Sequence, residues 1–508
     1  MDSFAGNRLT FQETDEADTA ITTFIYSEQD DGMSKQPTGR VDVMDSSPTD
    51  TTSWLDQPLI KSLSDVFLPS GYPHRVGVGN ADASPTSALL LHILQDSSGR
   101  VATILFAHRV GTALEPECKM YRLAADVFND IAMILDCLSP GVPAGYMRVT
   151  VLSTAGVLRA LCGVAGGSSK ASLSAHFAKW GNLAELNATM RREEREDRLI
   201  DGFVQKDSSQ ETVISLVGML VGSLVVSHVT RLGTTWAALL FLLGLHLSMN
   251  YAAVRAVQMT SLNRQRANIV FSTLLSSDPD LSIEALRSGS SSKTQEKKKR
   301  VSRSSSSKAT LEKWRLLTPA EVASQERIFP KDGALEWISY QPDQQQSPIK
   351  QNIGSAAIGV SLPTFFRDTN TSTTSTKGIV SSSSFKTSLP MAQLSTLFEE
   401  EAYLFFLRPS SSSSSSKKGK WHASILLKKG CSKQDRLKAW AHALLAVWVL
   451  NGKKDVSDPT QILDVVSRTL AFMSEQSRFE RYVAALAAAG WDLDIAALET
   501  RGGRRVCF

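Results

Sequence analysis

Two long apolar stretches constrain this chain of 508 residues more than any other feature. Residues 212–230 and residues 232–254 comprise 19 and 23 residues without a single Asp, Glu, Lys or Arg, and only Arg231 separates them. A helix needs roughly 18 to 20 predominantly apolar residues to cross the hydrocarbon core of a bilayer. The two stretches therefore predict a membrane-inserted helical hairpin at 212–254.

A soluble protein offers an alternative for the same two stretches, in which both are fully buried helices of a bundle. The polar residues His228, His246 and Asn250 within them favour this alternative, because polar side chains in hydrocarbon are costly. The length of the runs favours the membrane, and we expect the lipid bilayer to be a partner of the chain.

The charges around the predicted hairpin indicate its orientation. Arg255, Arg264 and Arg266 follow the second stretch, whereas the turn carries only Arg231. Cytoplasmic loops of membrane proteins carry an excess of Lys and Arg. We therefore expect both ends of the hairpin, and with them the chain termini, to face the cytosol. The charge pattern does not assign the hairpin to the membrane of a particular organelle.

The rest of the chain divides by composition. Residues 1–65 contain 13 acidic and 4 basic residues, whereas residues 286–308 contain 8 basic and 1 acidic residue. Polar, strongly charged and aperiodic segments lack the apolar surface needed for a core. The predicted domains are a disordered acidic N-terminus at 1–60, a helical membrane domain at 61–272, a basic Ser/Lys-rich linker at 273–310, and a C-terminal α+β domain at 311–508 with a disordered insert at 341–395.

The basic linker has three interpretations that stay open. Its lysines and arginines could attract anionic lipid head groups, the run KKKR resembles a nuclear-localisation signal, or the segment is a plain solvated linker. We expect no nucleic-acid partner, since a nuclear signal fits poorly with a membrane hairpin.

The C-terminal part combines strand and helix patterns. AYLFFLR and WHASILLK predict a β-hairpin, and the next segment predicts a helix that Ser432 and Asp435 cap. Asp458 followed by Pro459 is typical of another helix start. The predicted fold class is mainly α, a multi-helix membrane-associated core with a helical hairpin plus a small α+β C-terminal domain.

A glycine-rich segment, LCGVAGGSSKASLSAHF, raises the question of phosphate binding. A P-loop requires GxxxxGK[ST] after a β-strand, but here two serines separate Gly167 from Lys170 and the preceding residues have a helical pattern. Small residues instead allow close approach between helices, particularly in membranes. We therefore predict a helix here rather than a nucleotide site.

Few side chains stand out as functional. Arg122, Asp126 and Asp130 fall within about two turns of one predicted helix and form a candidate intramembrane ion pair, whose structural alternative is a pair that locks two helices together. An apolar stripe runs along the same helix, formed by Leu123, Val127, Ile131, Ile134 and Leu138.

Four further residues are candidates for ligand or partner binding by position alone, being polar beside small-residue or apolar helices: Lys170, Asn182, Gln210 and Glu211. The histidines and cysteines are dispersed without metal-ligand spacing, and no GxSxG elbow is present. We therefore expect no catalytic residues, no metal and no cofactor.

Several long motifs, in order, resemble the root UV-B sensitive family over residues 61–272: GVGNADASPTSALLLHILQDSSGRVATILFAHRV, CGVAGGSSKASLSAHFAKWGNLAELNA, KDSSQETVISLVGMLVGS and NYAAVRAVQMTSLNRQRA. The resemblance implies a membrane-associated protein linked to UV-B responses and vitamin B6 homeostasis, without an agreed catalytic activity. A family paralogue or a second copy of the chain is an expected partner.

Three functions follow as hypotheses. The first is a non-enzymatic integral membrane protein with a transport-like or adaptor role in vitamin B6 homeostasis. The second is a soluble α-helical interaction or scaffold protein. The third is a pyridoxal-phosphate-binding protein using the GVAGGSSK segment, although no lysine is placed as a credible Schiff base.

Two features depart from the pattern of the family. FLPSGYP joins VGVGN directly through His74 and Arg75, where the resemblance implies about thirty more residues. The 17 residues 189–205, with nine charges, interrupt a segment that is continuous in the family as the resemblance implies. A skipped exon and a retained short intron would produce both departures.

We expect transcript reads across these two places to restore a helical segment at His74–Arg75 and to remove residues 189–205. Sequencing of full-length cDNA measures this directly. Reads that reproduce the chain as written would refute the splicing explanation.

Overall fold

The structure is a computed structural model, and it describes the following residues: 8–14, 20–29, 38–45, 85–177 except 144, 216–223 except 219, 231–288, 314–339, 349–366, 384–409 except 388, 421–451, 458–500 except 496, and 504–507. The chain forms two compact units. One comprises residues 51–259, and the other combines residues 1–50 with residues 260–508.

Four long helices build the unit of residues 51–259: α1 (Pro85–Val110), α2 (Cys118–Leu138), α3 (Tyr146–Phe177) and α4 (Leu232–Ala256). Short 3₁₀ turns at Gly111–Ala113 and Ser139–Gly141 follow α1 and α2. Helix α3 packs against α1 and α2, and α2 also packs against α4. Helix α2 thus contacts both α3 and α4.

The glycine-rich segment is helical, as predicted, and continues α3 without interruption to Phe177. Its small residues permit close packing: a Cβ atom added at Gly166 would lie 3.6 Å from the Cβ of Ala125 on α2. Ala165 and Ser169 beside it are fully buried. The segment therefore serves helix packing, and the strand–turn–helix geometry of a phosphate loop is absent from it.

The second apolar stretch of the predicted hairpin forms α4. In the first stretch, the described residues 216–218 and 220–223 are helical and exposed, while its last residues, 224–230, lie outside the described part of the chain. Two described helices are long and apolar enough to cross a membrane by length and composition, Leu232–Ala256 and Tyr146–His176. The second of these was not predicted as a spanning helix.

The second unit contains a five-stranded antiparallel sheet of β1 (Arg8–Thr14), β2 (Ala20–Gln29), β3 (Thr38–Asp45), β6 (Ser384–Thr387) and β9 (Arg505–Cys507), in the order β6-β3-β2-β1-β9. Three of its strands lie where disorder was expected, at 1–60. Phe11 faces Phe24 and Tyr26 faces Val41 across the strands, and all four side chains are buried. Alternating apolar residues thus outweigh the acidic composition.

A second sheet has the order β4-β5-β8-β7 and comprises β4 (Ala334–Ser339), β5 (Ile349–Ile358), β7 (Tyr403–Pro409) and β8 (Trp421–Leu427). Strands β7 and β8 form the predicted antiparallel hairpin, while β5 is parallel to β8. A Cβ atom at Gly354 of β5 would collide with the carbonyl oxygen of Trp421, so this position requires glycine.

The expected disordered insert at 341–395 therefore holds an inner strand of the sheet. It also holds α8 (Leu362–Phe366) and the start of α9 (Met391–Leu397). The sequence of β5, IKQNIGSAAI, is polar and lacks the apolar pattern that predicts a strand. Strand β5 is instead stabilised by hydrogen bonding to β4 and β8 on its two sides.

The remaining helices of this unit are α5 (Arg264–Ser277), α6 (Ile283–Ser288), α7 (Pro319–Gln325), α10 (Lys433–Asn451), α11 (Pro459–Ser474) and α12 (Arg478–Ala488). The expected boundary at 272/273 is wrong, because it cuts through the buried helix α5. The predicted caps are present: Asp435 N–H donates to Ser432 Oγ at 3.1 Å, and Thr460 N–H donates to Asp458 Oδ1 at 3.0 Å.

Helix α10 lies at the centre of this core, with apolar and polar side chains buried on most sides. His442 is completely buried; its Nδ1 lies 3.0 Å from Tyr403 Oη and its Nε2 lies 2.9 Å from Thr469 Oγ1. Neutral imidazole satisfies both contacts as acceptor and donor. Burial lowers the pKa of His442 to about 3.

We expect this histidine to make the unit acid-sensitive. The pKa of His442 is about 3 in the folded chain and 6.5 without perturbation, so its contribution is complete above pH 6.5 and is lost as the pH falls towards 3. The difference corresponds to about 4 to 5 kcal/mol. Urea unfolding of the full chain between these pH values, followed by tryptophan fluorescence, measures it.

The variant His442→Gln should flatten this pH dependence, whereas His108→Gln, which changes an exposed histidine of α1, should not. An equal slope in His442→Gln and the unmodified chain would contradict the assignment.

Candidate polar site between helices α2 and α4

Helix α2 buries a different face from the one that its apolar stripe predicts. Asp126 and Asp130 are only 8% and 6% exposed, whereas Ile131 and Leu138 of the predicted stripe are 41% and 45% exposed. Of the stripe, Leu123 is buried. The inner face combines carboxylates with small residues, notably Ala125 and Ala132.

The first carboxylate of this face pairs within its own helix. Arg122 Nη1 donates to Asp126 Oδ1 at 3.0 Å, so this pair does not lock two helices together, as the structural alternative required. Asp126 Oδ2 is buried and has no hydrogen-bond partner among the described residues.

The second carboxylate joins α2 to α4. His246 Nδ1 lies 3.1 Å from Asp130 Oδ1 and 3.3 Å from Asp130 Oδ2. On its other side, His246 Nε2 lies 2.9 Å from Asn250 Nδ2. Since an amide nitrogen only donates, Nε2 accepts and the ring proton is on Nδ1, which donates to Asp130.

Helix α3 contributes a thiol to the surroundings of this cluster. Cys162 lies within electrostatic range of Arg122, Asp126 and Asp130. Farther along, Arg159 of α3 forms an ion pair with Asp136 of α2. Within the described ranges, no group of three or more His, Cys, Asp or Glu side chains is arranged to hold a metal ion.

The polar cluster, defined as Arg122, Asp126, Asp130, His246 and Asn250, was only partly identified from sequence. In the sequence, His246 and Asn250 of α4 favoured a soluble helix over a membrane helix. Their spacing of four residues also places both on one helical face. That spacing is the signal that could have indicated a shared partner.

The other predicted site residues do not join this cluster. Lys170 is exposed on α3 and makes no hydrogen bond or ion pair within the described part of the chain. Asn182, Gln210 and Glu211 lie outside the described residues, as does the insert 189–205.

Comparison with known proteins finds similarity to one family over most of this unit. Residues 74–278 match the family model described as a vitamin B6 photo-protection and homoeostasis domain. RUS family member 1 of Dictyostelium discoideum is 35% identical over 245 residues, which cover 41% of this chain and 43% of that protein. Protein root UVB sensitive 3 of Arabidopsis thaliana is 33% identical over 214 residues, covering 42% and 44%.

The chain thus spans less than half the length of these curated relatives. Protein root UVB sensitive 2, chloroplastic, of Arabidopsis thaliana is 24% identical over 163 residues, 26% of this chain and 37% of that protein. No solved structure matches the chain. The matched segment begins at the His74–Arg75 junction and ends one residue beyond α5, and over this segment the chain is similar to proteins of the root UVB sensitive family.

Proposed function

We propose that this chain is a non-enzymatic integral membrane protein with a transport-like or adaptor role in vitamin B6 homeostasis. The observation that carries the proposal is the reversed burial of the helical unit, where two carboxylates of α2 are buried while large apolar side chains face outward. In a bilayer, ionisable side chains turn to the protein interior and apolar ones contact lipid.

The outward face of α4 supports insertion. Exposed apolar side chains cover much of this helix, including Leu240, Phe241, Leu242, Leu245 and Met249 at 48% to 70% exposure. Its 25 residues extend over about 37 Å, more than the roughly 30 Å of hydrocarbon. Covering these side chains with lipid removes a large apolar surface from water.

The soluble scaffold alternative requires α4 to be a core helix. Among the side chains of α4, Val254 alone is buried within the described part of the chain. A core helix would be covered by its neighbours, as α10 is in the other unit. The exposure of α4 therefore favours lipid over a soluble bundle.

Partners and orientation follow from this proposal. The lipid bilayer is the principal partner, and Arg255 at the end of α4 would lie on the cytosolic side together with the chain termini. On the exposed side of α3, Gly163 and Gly167 leave room for a second copy or a family paralogue to pack closely. We propose no nucleic-acid partner and no cofactor.

The vitamin B6 part of the proposal rests on the family domain, since that domain is described by photo-protection and homoeostasis of this vitamin. A phosphorylated B6 vitamer is a small anion, which an exposed cation near the end of a helix can contact. Lys170 occupies such a position on α3.

We expect the tagged full-length chain to stay in the membrane pellet after alkaline carbonate extraction and to dissolve only in detergent. The double variant Phe241→Arg/Leu245→Arg should release it, because each arginine at the centre of a spanning helix costs about 2.5 to 3.5 kcal/mol.

The matched control is Phe329→Arg, which changes an exposed apolar residue of the other unit and should leave the chain in the pellet. Release of the unmodified chain into the supernatant would refute membrane insertion.

We expect proteoliposomes containing the full chain to accumulate radiolabelled pyridoxal phosphate faster than protein-free liposomes. Lys170→Ala should reduce the initial rate roughly tenfold, since a hydrogen bond to a charged group is worth about 1.5 to 3 kcal/mol. Lys331→Ala, an exposed lysine of the other unit, is the control. Uptake equal to that of protein-free liposomes would exclude the transport role and leave the adaptor role.

A further inference from the structure

We propose that Asp126, Asp130 and His246 form a single proton-binding site between α2 and α4, which takes up one exchangeable proton at Asp126. The inference deepens the proposed function and rests on it in one respect, namely that the helical unit lies in a low-dielectric environment. It adds a ligand, the proton, that the family description does not contain.

The charges of the cluster are unbalanced. Arg122 is positive, Asp126 and Asp130 are negative, and the hydrogen bonds of His246 indicate a neutral ring. The set therefore carries one net negative charge, and both of its carboxylates are buried. Because charge is costly away from water, uptake of one proton, which makes the set neutral, is favourable.

The geometry points to Asp126 as the residue that holds this proton. Asp130 accepts a hydrogen bond from His246 Nδ1–H with both oxygens in range, so its negative form is stabilised. Asp126 uses Oδ1 for Arg122, while its buried Oδ2 has no partner among the described residues. Protonation of Asp126 removes the negative charge that Oδ2 otherwise carries without accepting a hydrogen bond.

An exchange route is available through His246. The side chain of His246 is 44% exposed, whereas the side chains of Asp130 and Asp126 are 8% and 11% exposed. The imidazole therefore connects the surroundings to the buried carboxylates, and it can accept a proton on Nε2 while donating from Nδ1. Asp126 and Asp130 are i, i+4 neighbours on one face of α2.

The charged and titratable groups that face Asp126 come from all three helices. Arg122 and Asp130 are on α2 itself, His246 is on α4 and Cys162 is on α3. Arg122 favours the ionised form of Asp126, whereas Asp130 disfavours it. Removing one neighbour at a time should therefore move proton binding in opposite directions.

Dicyclohexylcarbodiimide provides the test, because it reacts with protonated carboxyl groups in apolar surroundings. The carboxylic acid adds across one C=N bond, and the product rearranges to a stable N-acylurea that peptide mass spectrometry locates. The full chain in detergent would be treated over a pH series. Asp96 of α1, whose side chain is 64% exposed, is the internal control.

We expect labelling of Asp126 to persist to a pH at least one unit above that at which labelling of Asp96 is lost. A difference of one unit corresponds to tenfold in proton affinity. Equal pH dependence of the two residues in the unmodified chain would overturn the proposal, and this comparison requires no variant to fold.

Two variants test whether the groups act as one site. Asp130→Asn should lower the pH midpoint of labelling at Asp126, and Arg122→Gln should raise it. Two unchanged midpoints would overturn the shared site. This assay is independent of carbonate extraction. If carbonate releases the chain but Asp126 is still labelled at high pH, the membrane location is refuted and the proton site is retained.

Discussion

The hydrogen bond from His246 to Asp130 is the interaction on which the arrangement of the helical unit depends. A buried carboxylate without a donor would cost several kilocalories per mole, so the presence of Asp130 on the inner face of α2 requires a partner from another helix. Asn250 holds the ring of that partner in one tautomer. The bond therefore specifies which face of α4 meets α2, and the apolar side chains of α4 are left to face outward.

The unit of residues 1–50 and 260–508 differs from the helical unit in what it buries. Its interior is predominantly apolar, and two of its central polar groups have partners: His442 lies between Tyr403 and Thr469, and Arg478 donates to Asp278 at 3.0 Å. This is the organisation of a water-soluble core. One chain thus combines a unit that buries two carboxylates and exposes many large apolar side chains with a unit whose apolar side chains are mostly buried.

Sequence reasoning succeeded where the signal is local. Helix α4, the helical nature of the glycine-rich segment, the β7–β8 hairpin and the Ser432–Asp435 cap each follow from a few consecutive residues. It failed where the stabilising contact is remote in sequence. Strand β1 pairs with β9 from the opposite end of the chain, and β5 depends on strands that precede and follow it.

The sequence by itself determined the resemblance to the root UVB sensitive family, the length and apolar character of α4 and the residue types of the polar cluster. Only the tertiary structure decided which face of α2 is buried. An apolar stripe normally faces a protein core, but α2 buries two carboxylates, one of which contacts a histidine of another helix. The partner of Asp130 lies 116 residues away, and packing of α2 against α4 brings the two together.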